Sequence, residues 1–123
     1  MPKRILVVDD EPDIREVATV SLEAIGGYEV IAESSGAEAL ETAAEEQPDA
    51  ILLDVMMPGL DGPSTYARLQ EAEATREIPV ILLTAKAGAA DRAGLEKLGV
   101  AAVLSKPFDP MALAGEVAAA LGW

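Results

Sequence analysis

The residues able to do chemistry in this chain are few, because it contains no histidine and no cysteine. That removes the usual general base, imidazole and thiolate metal ligands, thiol catalysis and disulfides. What remains is carboxylate, hydroxyl and ammonium, and five such groups share a habit of position. Asp9 and Asp10 follow the apolar run Ile5 to Val8, Asp54 closes Ala50 to Leu53, Thr84 closes Val80 to Leu83, and Lys106 stands just beyond Val100 to Leu104. If those runs are neighbouring strands, one edge of a sheet gathers three acids, a hydroxyl and an ammonium. Carboxylates that close raise one another's pKa unless a cation neutralises them. A hard, oxygen-seeking ion such as Mg²⁺ fits, and it keeps coordination positions open for phosphate oxygens. An acid beside such an ion, with a lysine and a hydroxyl in reach of the same phosphoryl group, is equipped to become an aspartyl phosphate.

The elements that must position these groups follow from the pattern of the chain. Each apolar run is short and rich in β-branched residues or leucine, which predicts buried strands. Tyr28 to Glu33 alternates and reads as a less buried edge strand. Between the strands lie helical spacings. Pro12 opens one in which Ile14, Val17, Ala18, Ser21, Leu22 and Ile25 follow at helical spacing, and Gly26 and Gly27 stop it. Ser35 and Glu38 form a capping box for the next, which carries Ala39, Leu40 and Ala43 inward and closes before Pro48. A third starts near Asp61 with Tyr66 and Leu69 and ends before Pro79. The fourth, about Ala89 to Leu98, is alanine-rich and weakly specified, with Gly94 inside it. Asp109 and Pro110 read as N-cap and first residue of the last helix, whose stripe is Leu113, Ala114, Val117, Ala118 and Leu121. Strict alternation predicts one α/β domain over residues 1–123, a doubly wound, flavodoxin-like (βα)5 fold. With right-handed crossovers and the weaker strands at the edges, the parallel sheet takes the order 2-1-3-4-5.

Length and charge bound the function. A chain of 123 residues, half of them apolar, can build one core without staples. The short apolar run after MPKR is too brief for a signal peptide or a membrane span, which predicts a cytoplasmic protein. A net charge of −13 argues against electrostatic binding to nucleic acid or an anionic membrane and leaves a protein partner or a cation.

The segments ILVVDDEP (Ile5 to Pro12), LLDVMMPGLDG (Leu52 to Gly62), LLTAK (Leu82 to Lys86) and LSKPF (Leu104 to Phe108) together resemble the receiver domain of two-component response regulators, of the single-domain, chemotaxis-regulator-like type. The resemblance covers the whole chain. It implies that Asp54 is the nucleophile that takes a phosphoryl group from a phosphohistidine on a sensor histidine kinase or phosphotransfer protein. It implies that Asp10 ligates Mg²⁺ directly, Asp9 mostly through water, and Met56 through its backbone carbonyl, with Asp54 completing the metal site. Thr84 and Lys106 would each hold a phosphoryl oxygen, and the Lys106–Pro107 bond would be cis. Met56 and Lys86, each two residues beyond a site residue, would tune the access of hydrolytic water. The output would run through the Thr84 to Gly88 loop to a face made by helix 4, strand 5 and helix 5, read by a downstream protein, the chain being a monomer or weak homodimer. One departure is plain: many members carry Tyr or Phe three residues before the lysine, where this chain has Val103, so an aromatic rotamer switch cannot operate there.

Plainer roles stand beside these. Asp9 or Asp10 alone is an ordinary acid at a helix N-terminus, Thr84 an ordinary strand end, and Lys106 a surface lysine. Asp61 and Glu11 read as helix caps, and Met56 and Met57 as packing residues. The expected function is a signalling protein and not an enzyme, catalysing only its own phosphorylation and dephosphorylation. A stand-alone receiver is expected, since Trp123 ends the last helix. The alternatives are a receiver excised from a longer regulator or hybrid kinase, a binding module that has lost phosphorylation, and an aspartyl-phosphate phosphatase for small molecules. Phosphatases of the haloacid-dehalogenase type carry a second acid where this chain has Met56.

Overall fold

The apolar runs form strands and the 3.6-residue spacings form helices in strict alternation. The computed structural model describes residues 2–85 and 89–123. Its elements are β1 (Arg4–Val8), α1 (Pro12–Ala24), β2 (Glu29–Glu33), α2 (Gly36–Glu46), β3 (Ala50–Asp54), α3 (Gly62–Glu71), β4 (Val80–Thr84), α4 (Ala89–Glu96), β5 (Ala102–Ser105) and α5 (Leu113–Leu121). The five strands pair in parallel in the order β2-β1-β3-β4-β5. This is the doubly wound fold expected from the sequence, and its expected strand order.

The two-residue period of the strands divides the core between the sheet faces. On β3, Ile51 and Leu53 pack with Ala39 and Ala43 of α2 and with Tyr66 and Leu69 of α3. Leu52 points the other way, into a cluster with Ala18 and Leu22 of α1 and Leu113 and Val117 of α5. Strands β3 and β4 are buried throughout, whereas the edge strands β2 and β5 are only partly covered.

Several helix ends form as read. Ser35 accepts a hydrogen bond from the Glu38 amide and Asp61 from the Ser64 amide, so both are N-caps. Of the apolar positions at helical spacing in and just after α1, Val17 and Ile25 do not face inward. They are exposed, and with Val20 and Met111 they line a shallow groove of about 370 Å³ away from the acids, because Ala18, Ser21 and Leu22 already fill the space against the sheet. Three expectations need correction. The last helix starts at Leu113, not at Pro110. Asp109 accepts from the Met111 amide through its carboxylate and from the Ala112 and Leu113 amides through its carbonyl, which closes a turn ahead of the helix. Glu11 occupies the N-cap position of α1 but makes no side-chain cap. Met57 is buried as a packing residue, but Met56 is 63% exposed and packs nothing into the core.

Candidate functional site

The C-terminal edge of the sheet gathers the predicted residues because each strand is cut off there by a different local device. After β1 the chain turns at once into α1, whose first residue is Pro12. That turn is held by the Glu11 amide donating to Asp9 Oδ1 at 2.9 Å and by Arg15 Nη1 donating to the Asp9 carbonyl at 2.8 Å. Asp54 ends β3, and the backbone continues the ladder one residue further, the Val55 amide donating to the Leu83 carbonyl at 3.0 Å. The Gly62 amide then returns to the Val55 carbonyl at 2.9 Å. A β-carbon at Gly62 would lie 2.5 Å from the Asp54 carbonyl oxygen and 2.8 Å from Val55 Cα. Only glycine lets the start of α3 lie this close to the backbone that carries Asp54.

Thr84 ends β4 as a buried residue and pairs in register with Ser105. The Lys106 amide donates to the Thr84 carbonyl at 2.8 Å, and the Lys106–Pro107 peptide is cis, as the resemblance implied. The Lys106 side chain is 12% exposed, which is not the state of an ordinary surface lysine, and its Nζ lies 2.9 Å from Asp9 Oδ2 and 3.2 Å from Asp54 Oδ1. Glu11 stands at the rim, its Oε1 3.9 Å from the same ammonium. Lys86 lies outside the described residues.

Among the described residues, three clustered acids share one close ammonium. Carboxylate oxygens of Asp9, Asp10 and Asp54 lie within 4.8 Å of one another. Burial, and then the charge of Asp9, push Asp54 up to about 6, although Lys106 pulls it down. For Lys106 burial works against the ammonium, but the hydrogen bond to Asp9 and the charge of Asp54 outweigh it and raise its pKa. Asp10 Oδ1 is buried and has no hydrogen-bond partner among the described residues, while Asp9 Oδ2 has only the lysine ammonium. A cluster of hard oxygen donors, one of them buried and unsatisfied, fits a small divalent cation.

The model of the response regulator receiver domain family matches residues 5–118. The chain belongs to this family. It is a receiver of the kind found in two-component systems. Curated relatives include the alkaline phosphatase synthesis transcriptional regulatory protein PhoP of Bacillus subtilis, 43% identical over 122 residues, which cover 98% of this chain and 49% of that protein. The chain spans about half the length of the first curated relatives it matches. Among solved structures, the chemotaxis response regulator CheY4 of Vibrio cholerae superposes with a TM-score of 0.90 at 28% identity, covering 98% of this chain and 99% of that one. The receiver domain of the sensor histidine kinase PA1611 of Pseudomonas aeruginosa superposes with a TM-score of 0.87 at 32% identity over the full length of both chains, and that structure has a magnesium ion coordinated in its active-site cleft.

Sequence reasoning placed Asp9, Asp10, Asp54, Thr84 and Lys106 at the strand ends where the structure has them. It missed the supporting roles of Arg15 and Gly62. Gly62 carried a readable signal, since a glycine directly after the N-cap Asp61 contributes nothing to helix formation and so points to a close approach. Arg15 carried none, because an arginine on an amphipathic helix is ordinary.

Proposed function

We propose that this receiver takes a phosphoryl group onto Asp54 from a phosphohistidine of a sensor kinase or phosphotransfer protein, signals in that state, and then loses the group to water. One observation carries the reading: a buried carboxylate at the end of the central strand stands 3.2 Å from a lysine ammonium and beside two further acids. An Asp54 oxygen attacks phosphorus as the bond from phosphorus to the imidazole nitrogen breaks, and that nitrogen takes up a proton. Lys106, already poised against Asp54, follows the charge onto a phosphoryl oxygen, and Thr84 at the next strand end offers its hydroxyl to another. Asp9, Asp10, Asp54 and the Met56 carbonyl would hold Mg²⁺, which when bound supplies the positive charge that lets an anionic acid and an anionic donor meet.

Because Asp54 sits near 6, it is substantially ionised at neutral pH and available as a nucleophile. Met56, exposed next to the site, and Lys86 tune the entry of hydrolytic water. On this reading the protein is a cytoplasmic signalling component and not an enzyme with a separate substrate. The face formed by α4, β5 and α5 is the one a downstream protein reads. Incubation with phosphoramidate and Mg²⁺, followed by intact-mass measurement, is expected to show one added phosphoryl group in the wild type and none in Asp54→Asn. Full labelling of Asp54→Asn would reject the assignment.

A further inference from the structure

Strand β5 is an edge strand, paired only with β4, so one row of its backbone acceptors has no strand to bond. In this chain an arginine takes one of those acceptors and a neighbouring side chain. Arg92 of α4 donates from Nη2 to the Val103 carbonyl and from Nη1 to Ser105 Oγ at 3.0 Å. A guanidinium is a planar fork with donors at fixed spacing, so this contact sets two alternate residues of β5 against α4 at once. Little else does so, since among the described residues of α4 only Arg92 and Leu95 are even half-buried.

The clamp ends next to the reacting groups. Ser105 pairs with Thr84 across the ladder and immediately precedes Lys106, whose Nζ lies 2.9 Å from Asp9 and 3.2 Å from Asp54. Val103, the other residue it grips, is buried opposite Leu82 and is too small to swing between an inner and an outer position. We infer that Arg92 is a positioning residue for Lys106, and that its clamp on Val103 and Ser105 is the link through which α4 registers the state of Asp54. The inference rests on the receiver reading above and names the side chain that carries its output. A displacement of Thr84 or Lys106 toward a phosphoryl group shifts Ser105 and pulls on Arg92. By reciprocity, a partner that binds α4 more tightly in the phosphorylated state favours that state to the same extent.

The test uses the whole chain as wild type, Arg92→Gln, Ser105→Ala and the double variant. Two readouts are taken: the first-order labelling rate constant at saturating phosphoramidate and Mg²⁺, and amide exchange in residues 90–98 with and without beryllofluoride. Each single variant is expected to slow labelling roughly fivefold with an unchanged Mg²⁺ dissociation constant. The exchange response of α4 should shrink to a minor fraction of the wild-type change. The double variant should be no slower than Arg92→Gln, because both substitutions break one contact, whereas independent damage to α4 would multiply. Wild-type labelling and α4 response in the single variants, or effects that multiply in the double, overturn the link. If the wild type takes up neither phosphoryl group nor beryllofluoride, the receiver reading falls first and the link with it, a failure distinguishable because it appears before any variant is compared.

Discussion

The two halves of the site are built to different standards. The acid half rests on β1 and β3, where Asp54 ends a strand buried at every residue and α3 starts so close that only glycine fits at its first position. The other half, Thr84 and Lys106 with α4 and β5, rests on one buried strand and one half-covered edge, and α4 is tied on largely through Arg92 and Leu95. The difference teaches how a small fold separates chemistry from signalling. Asp54, the proposed nucleophile, is over-determined by packing, so its position would survive each turn of the proposed cycle. On the proposed reading α4 is the element that reports on it, and among its described side chains only Arg92 and Leu95 are even half-buried, as a switching element requires.

The comparison breaks most clearly in core truncations. Leu53→Ala, at a fully buried position on β3, is expected to cost roughly 3–4 kcal/mol in denaturant unfolding, against about 1 kcal/mol for Leu104→Ala on the half-covered β5. Equal losses would mean that the output half is as tightly packed as the acid half. Next comes Lys106→Ala, which removes an ammonium that bridges Asp9 and Asp54. Labelling by phosphoramidate should slow by about a hundredfold, the scale of losing a charged donor to a developing anion. Mg²⁺ binding should persist, because the acids remain.

A pair of identical substitutions sharpens the contrast. Gly62→Ala should destabilise by about 2 kcal/mol, since its new methyl would collide with the backbone of Asp54 and Val55. Gly94→Ala in α4 meets nothing within 4 Å and should stabilise by up to about 1 kcal/mol through helix propensity. Thermal unfolding of both reads the signs directly, and a shared sign would refute the distinction between the halves.

The smallest effect is ionic. Asp54 rises from 3.8 in the unfolded chain to about 6 in the fold. Between those values the folded protein keeps a proton that the unfolded chain has lost, so the contribution of Asp54 to metal-free stability falls as pH rises through that window. Millimolar Mg²⁺ should offset this loss by binding only the assembled acids, raising the unfolding midpoint by about 5 °C at pH 7 and much less at pH 5. A midpoint shift that is the same at both pH values, or that persists in Asp10→Ala, would count against the site.

How much of this was legible depended on whether a signal was local. The strands could be read because short runs such as Ala50–Leu53 and Val80–Leu83 have no polar face to mislead, and their ends named the site residues directly. Asp61 and Ser35 could be read as caps because capping is settled within one turn of chain. Val17 and Ile25 could not be placed, because the helical period allows a wide apolar stripe while the sheet has room for only part of it. Asp109 misled because an acid before proline serves a turn as well as a helix start. The Arg92 clamp was invisible, since it depends on which carbonyls an edge strand leaves open, and only the assembled sheet decides that.

The central claim is that Asp54, and no other acid of the cluster, becomes phosphorylated. Borohydride reduces an aspartyl phosphate to homoserine, so reduction of the labelled protein followed by tandem mass spectrometry marks the position permanently. The account predicts homoserine at position 54 alone, appearing only when Mg²⁺ and phosphodonor are both present. Homoserine at position 9 or 10, or a phosphoryl mass with no homoserine at position 54, would contradict it.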